Sequence, residues 1–252
     1  MASSTFTVQR AACALPVQTG AQQEVACASC GLDPLCNVLD YAGEQSGLPE
    51  GLLLRRRPVA RGETLFHIHD PFRSIYAVKQ GSFKTFIPRP DGSDQLIGFH
   101  LPGELIGAGA MAAERYPCTA RALENSRVCE IDLSRLPESG RPLQRIQRAV
   151  IELLGQEVAF GSELIAALVH QSAEQRVAGF LISLSDRLQR RGMPGTEFHL
   201  SMSRSDIGNY LGLASETVSR ILTRFSKAGL IHVRHKRVHL IHANTLAGIA
   251  CG

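Results

Sequence analysis

The chain has 252 residues, 44% of them hydrophobic and 20% charged, with a net charge of +4; that is enough for two domains with real cores. No apolar run approaches the roughly eighteen residues of a membrane span, and the AACAL run, broken by Pro16, is a poor signal peptide. A membrane partner is therefore excluded, and a cytoplasmic protein is expected, whose seven cysteines point to metal or redox chemistry and not to a disulfide framework.

Residues 1 to about 26 are rich in Ala, Gln, Ser and Thr without periodicity, and disorder is expected there. CASCGLDPLC follows, in which Cys27, Cys30 and Cys36 have the spacing C-x2-C-x5-C. Gly31 and Pro34 let a short loop curl so that several thiolates face one point. Such a loop suits zinc or an iron–sulfur cluster, and either normally needs a fourth ligand. The spacing matches neither the bacterial nor the plant ferredoxin run.

From about Leu52 to Leu136 short alternating segments appear: TLFHIHD, SIYAVKQGSFKTFIP, SDQLIGFHLPGELIG and TARALENSRVCEIDL. Turn signals such as Gln80-Gly81 and Asp91-Gly92 separate them, which predicts an antiparallel roll. Cys129 lies in RVCEI; by itself it reads as a small buried hydrophobe, and nothing local makes it a ligand. Near Pro142 the pattern turns helical and stays so to about His170. Leu143, Ile146, Val150, Leu154, Val158, Gly161, Ile165 and Leu168 recur in steps of three and four, one apolar seam on one face. A second copy of the chain would cover it; packing on its own roll is the alternative.

Residues Ser172 to Gly192 form another amphipathic helix, leading through Pro194-Gly195 and a strand-like EFHLSM to two short helices with a tight turn. The first runs from about Ser203, a candidate N-cap, to Leu211, and buries Ile207, Tyr210 and Leu211. Gly212 breaks it, and Leu213 plugs the gap. Ser215 is a second candidate N-cap, with Glu216 just inside, where the helix dipole favours an acid. The second helix buries Val218, Ile221, Leu222 and Phe225 and stops at Gly229. Glu216, Ser219 and Arg220 share another face. A buried side and a polar triplet near the N-terminus suit a recognition helix in a DNA major groove, where Arg pairs with guanine and Glu accepts from cytosine. An ordinary helical hairpin with a solvated face is the alternative. A basic wing, His232 to His239, follows. From Ser172 onward there are 11 Lys+Arg against 5 Asp+Glu, a net +6, which leaves −2 for the rest. Positive charge thus gathers on the segment that would meet phosphate.

Roll, long helix and winged helix in this order resemble the cyclic-AMP receptor and FNR (Crp/Fnr) superfamily of bacterial transcription factors, over nearly the whole chain from Cys27. DIGNYLGLASETVSRILTRF looks very like the FNR helix-turn-helix, and GFHLPGEL looks FNR-like. The resemblance implies an α+β fold: an N-terminal cyclic-nucleotide-binding-like β-roll with its cysteine loop (27–141), a dimerisation helix (142–171) and a winged helix-turn-helix (172–252). It also implies a [4Fe–4S] cluster on Cys27, Cys30, Cys36 and Cys129, an oxygen-sensitive homodimer, and no enzyme activity. Base reading falls on Glu216, Ser219 and Arg220, with an inverted repeat of TTGAT-type half-sites as target. The loop carrying Asp91, Gly92 and Ser93 corresponds to one that contacts RNA polymerase. Where cyclic-nucleotide binders carry Arg before Ser or Thr, this chain has Cys118 before Thr119, so a cyclic phosphate would lack its bidentate partner and none is expected to bind. Gly161 stands where relatives carry an acid. Cys13, Cys118 and Cys251 have no counterpart. A zinc-containing or thiol-redox regulator, and an iron–sulfur electron carrier, are the alternatives.

Overall fold

The computed structural model describes residues 24–31, 33, 36, 54–111, 113–133, 148, 151, 154, 155, 158, 168 and 170–252. The expected disordered stretch before residue 24 lies outside them, as do Cys13, Ile146, Val150, Gly161 and Ile165. Eight short strands come first: β1 (Leu54–Val59), β2 (Thr64–Phe66), β3 (Ser74–Gln80), β4 (Phe83–Pro88), β5 (Asp94–His100), β6 (Leu105–Ile106), β7 (Thr119–Ala122) and β8 (Ser126–Asp132). They make two antiparallel four-stranded sheets, ordered β1-β8-β3-β6 and β2-β7-β4-β5. Phe66, Val78, Phe83, Ile106, Tyr116 and Val128 fill the space between them. The turns follow local chemistry. Gly81 sits at φ 81°, and a Cβ there would lie 2.2 Å from Ser126 Oγ, so only glycine fits. β1 was not legible as a strand, because LRRRPV places three arginines in a row and hides the alternation.

The C-terminal part opens with α1 (Ala173–Arg190), closed at its start by a capping box between Ser172 and Gln175. β9 (Glu197–His199), α2 (Arg204–Leu211), α3 (Ser215–Lys227), β10 (Ile231–Arg234), β11 (Arg237–Leu240) and α4 (Ala243–Cys251) follow. β10, β11 and β9 form the antiparallel wing sheet in that order. α4 was not anticipated; it buries Leu246 in the core it shares with α1. The fold is α+β, a roll followed by a winged helix-turn-helix. Arg148, Ile151, Leu154, Gly155, Val158, Leu168 and His170, the described residues between the two, are all helical.

The two parts share one core. Phe86, Leu96, Phe99 and Leu101 of the roll pack with Phe180, Leu184 and Ile207 of the C-terminal part. Polar contacts run round that core. Lys84 Nζ donates to Asp206 Oδ1 at 2.8 Å, and Asn209 accepts from Leu96 N and donates to Asp94 O, each at 2.7 Å. α2 is therefore gripped by the β4–β5 hairpin, while α3 faces outward.

Candidate metal centre and nucleic-acid interface

The cysteine loop is stapled to the roll on both sides of its first two cysteines. Val25 N donates to Lys79 O at 3.0 Å, and Gly31 N donates to Gly103 O at 2.6 Å. A Cβ on Gly31 would stand 2.8 Å from that same oxygen, so the close approach needs glycine. Cys27, Ala28 and Ser29 form a short 3-10 turn between the staples.

Four cysteines meet at this end of the roll. Cys30 and Cys36 pack against the apolar cluster that contains Cys129, Ile75, Leu105 and Ile131. Burial pushes the Cys36 thiol up to about 12, and Cys30, Cys129, Cys27 and Asp33 add to it. Burial also raises Cys129, with Cys30 reinforcing and the Arg56 and Lys79 cations opposing. Arg56 is the cross-strand partner of Cys129 on β1. The four are neighbours without being converged: among the described residues, no three His, Cys, Asp or Glu side chains stand in metal-ligand geometry. Metal entry would require the thiols to lose protons and close inward. The donor set is soft sulfur in an apolar shell with cations nearby, which fits an iron–sulfur cluster or zinc and does not fit a hard oxygen-seeking ion. Cys118 is buried inside the roll with Phe66 and Tyr116, apart from this group, and Cys251 is exposed at the end of α4.

The same apolar cluster receives Leu154 from the helical stretch. Ile151 and Val158, on either side, are 68% and 70% exposed in the single chain. The seam read from sequence therefore divides: Leu154 turns to the roll, and Ile151 joins Val158 on the open side. Leu168 is half-buried.

The roll interior carries stacked rings. Phe66 and Tyr116 lie 3.6 Å apart between centroids. Tyr116 Oη donates to Ser74 O at 2.7 Å, and Tyr76 Oη to Glu130 Oε1 at 3.1 Å. Thr119 Oγ1 accepts from Ile68 N at 3.0 Å.

On the opposite part, α2 and α3 cross at a contact only glycine permits. A Cβ on Gly208 would lie 2.5 Å from Leu213 O. Ser203 and Asp206 close a capping box on α2, and Gly212 ends it at φ 65°. The expected Ser215 cap is corrected: Ala214 is the N-cap and Ser215 is the first helical residue, its hydroxyl donating to Glu216 Oε1 at 3.0 Å. Tyr210 is half-buried, wedged edge-on against Phe99 and Phe180. Val218, Ile221, Leu222 and Phe225 are buried as expected. Glu216, Ser219 and Arg220 are all exposed on one face. Glu216 is held below the usual carboxylate range, first by its own backbone N–H at the helix start, then by Ser215, with Arg220 adding. Ser219 Oγ donates to Ser215 O at 2.9 Å, and Arg220 Nη2 reaches Thr217 Oγ1 at 3.3 Å. The sequence reading missed Arg224, one turn on, which pairs with Glu174 of α1 at 2.7 Å.

The wing turns at His235, which has φ 57°. Lys236 Nζ donates to Ser201 O at 3.2 Å, and Arg237 pairs with Glu197 at 3.0 Å. Two cations of the basic wing are thus partly committed within the protein, and Arg234 is a further exposed cation of the wing. Asp91, Gly92 and Ser93 are exposed at the β4–β5 tip, closed by Arg89 N to Ser93 O at 2.8 Å.

Two family models match the chain: a cyclic nucleotide-binding domain over residues 56–138 and a Crp-like helix-turn-helix domain over 175–249. A transcriptional activator protein Anr of Pseudomonas aeruginosa is 41% identical over 236 residues, 94% of this chain and 97% of that protein. A fumarate and nitrate reduction regulatory protein of Salmonella typhimurium is 35% identical over 224 residues, 89% of this chain and 90% of that one. The solved structure of FixK2 from Bradyrhizobium japonicum superposes with a TM-score of 0.70 at 26% identity, covering 78% of this chain and 97% of that one.

Proposed function

The chain belongs to the Crp/Fnr family of DNA-binding transcription regulators, and we propose that it senses oxygen through a [4Fe–4S] cluster held by Cys27, Cys30, Cys36 and Cys129. The observation that carries this reading is that Cys30, Cys36 and Cys129 pack together at one apolar end of the roll, with the exposed Cys27 beside them and Leu154 of the connecting helix against the same cluster. When bound, the cluster supplies an oxidisable centre. The protein supplies the rest. Leu154 lies against the cysteine environment, so a change in how the loop closes is felt by the helix. That helix pairs with its copy in a homodimer, through Ile146, Val150, Val158, Gly161, Ile165 and Leu168 of the seam, joined by the exposed Ile151. Dimerisation sets two recognition helices about one DNA turn, roughly 34 Å, apart. Glu216, Ser219 and Arg220 then read TTGAT-type half-sites of an inverted repeat. The tip of Asp91, Gly92 and Ser93 meets RNA polymerase, and the protein works in the cytoplasm. The roll takes no cyclic nucleotide, because Cys118 replaces the phosphate-binding arginine and Thr119 bonds within the protein.

The test is a visible spectrum of anaerobically purified protein, with iron and sulfide counted, before and after air. Four irons and four sulfides, a broad absorption lost in air, and half-site binding lost with it support the reading. Colourless protein with one zinc, binding DNA equally in both conditions, refutes it.

A further inference from the structure

Lys79 is 7% exposed, an unusual place for a lysine. It sits on β3 where the register with β8 slips: Val78 pairs with Val128, but Gln80 pairs with Arg127, so Lys79 is the extra residue of a bulge. A bulge re-aims a side chain. The ammonium here reaches the cysteine loop, donating to Val25 O and standing 3.4 Å from Cys27 Sγ. The Lys79 backbone oxygen accepts from Val25 N as well. One residue thus clamps the entry to the loop and points its charge at the first of the four candidate ligands, Cys27.

Burying an ammonium is costly unless it is paired. A single backbone carbonyl is a modest partner for it. A sulfur that carries negative charge answers the cost much better, and four thiolates around a cluster leave the assembly with a net negative charge beside the buried ammonium. We propose that Lys79 is a positioning residue for the cluster: it fixes Cys27 and donates a charge-assisted hydrogen bond to that sulfur. The proposal rests on the cluster reading above. Its physical consequence is direct. Hydrogen bonds to cluster sulfurs and nearby positive charge favour the more negative, reduced state and so raise the reduction potential. Lys79 therefore makes the centre harder to oxidise and sets how much oxygen is needed. Arg56, opposite Cys129, contributes in the same sense but is exposed, where water screens it.

The experiment compares full-length wild type, Lys79→Arg and Lys79→Gln, each purified without oxygen. Iron and sulfide are counted, the reduction potential is measured by spectroelectrochemical titration, and loss of visible absorption in air is timed. Gln keeps a polar hydrogen-bond donor of similar bulk without the charge, so it separates charge from mere packing. The expected result is a loaded Lys79→Gln with a lower potential and a several-fold faster loss in air, and a Lys79→Arg close to wild type. Lys79→Gln matching wild type in potential and lifetime overturns the role of Lys79 alone. An equal effect of Arg and Gln overturns it too, since packing would then account for both. Wild type without iron and sulfide sinks the cluster reading itself, and this proposal with it.

Discussion

Arg187 of α1 forks onto Glu104 of the roll, through Nε to Oε1 at 2.7 Å and Nη2 to Oε2 at 2.5 Å. The two belong to different parts of the chain, and their side chains are 4% and 14% exposed. Burial alone would raise Glu104, yet the guanidinium outweighs it and holds the carboxyl below its usual range. Arg187 also donates to Phe99 O. Glu104 follows Gly103, whose carbonyl holds the cysteine loop, so one turn of the roll touches both the candidate metal centre and the DNA-binding part.

Glu104→Ala should destabilise the protein by about 3–5 kcal/mol, because it strands a buried guanidinium. Replacing both partners, Glu104→Leu with Arg187→Met, should recover most of the loss. Denaturant unfolding of the single and double variants measures the coupling. Additive losses would show that the pair contributes nothing as a pair.

Gly208→Ala should cost about 1–3 kcal/mol and abolish specific DNA binding, since its methyl group would meet Leu213 O at 2.5 Å and push α2 from α3. Gly248→Ala on α4 has nothing within 4 Å and should stabilise by up to about 1 kcal/mol. Thermal midpoints of the two variants should move in opposite directions.

Arg220→Ala should weaken binding to a matched half-site by about 1–3 kcal/mol and relax its sequence preference. Arg234→Ala should weaken all sequences about equally and reduce the salt slope. Titrations against matched and scrambled duplexes at several salt concentrations separate the two. An unchanged preference in Arg220→Ala would mean the recognition face is wrongly assigned.

Val158→Glu should leave the roll folded and the protein monomeric, because Val158 is 70% exposed in the single chain and, in the proposed dimer, the substitution would bury an unpaired charge. Leu154→Glu should instead disturb the cysteine cluster directly. Sedimentation and far-ultraviolet dichroism of anaerobic protein distinguish a lost dimer from a lost fold.

Burial pushes His100 down to about 4, with Arg187 reinforcing and Glu104 opposing. The unfolded chain binds this proton near pH 6.5 and the folded one does not. Stability from this group is therefore full above about 6.5 and falls as pH drops toward 4, by at most about 1.4 kcal/mol per pH unit. Thermal midpoints of wild type should fall between pH 7 and pH 5, and those of His100→Gln, which can still bond Thr85, should fall less. Equal falls would place the sensitivity elsewhere.

What this sequence determined by itself is local. Gly81 and Gly92 mark hairpins, Ser203 reads as the N-cap of α2, and Gly212 marks its end. Each signal lies within a few residues of its effect, and the apolar periods of roll and helices are just as short in range. That Glu216, Ser219 and Arg220 are exposed follows from the same local periodicity. Cys27, Cys30 and Cys36 declared themselves by spacing, but Cys129 could be added only by resemblance, because 93 residues separate it from Cys36. The tertiary structure decided what depends on strands far apart in the chain meeting in register. It brought Cys129 beside the cysteine loop with Arg56 across the strand, and it made Lys79, an ordinary strand lysine in the sequence, the extra residue of a bulge aimed at Cys27. It also divided the helical seam, turning Leu154 inward and leaving Ile151 out, because a helix face has no owner until the surfaces on either side of it are placed.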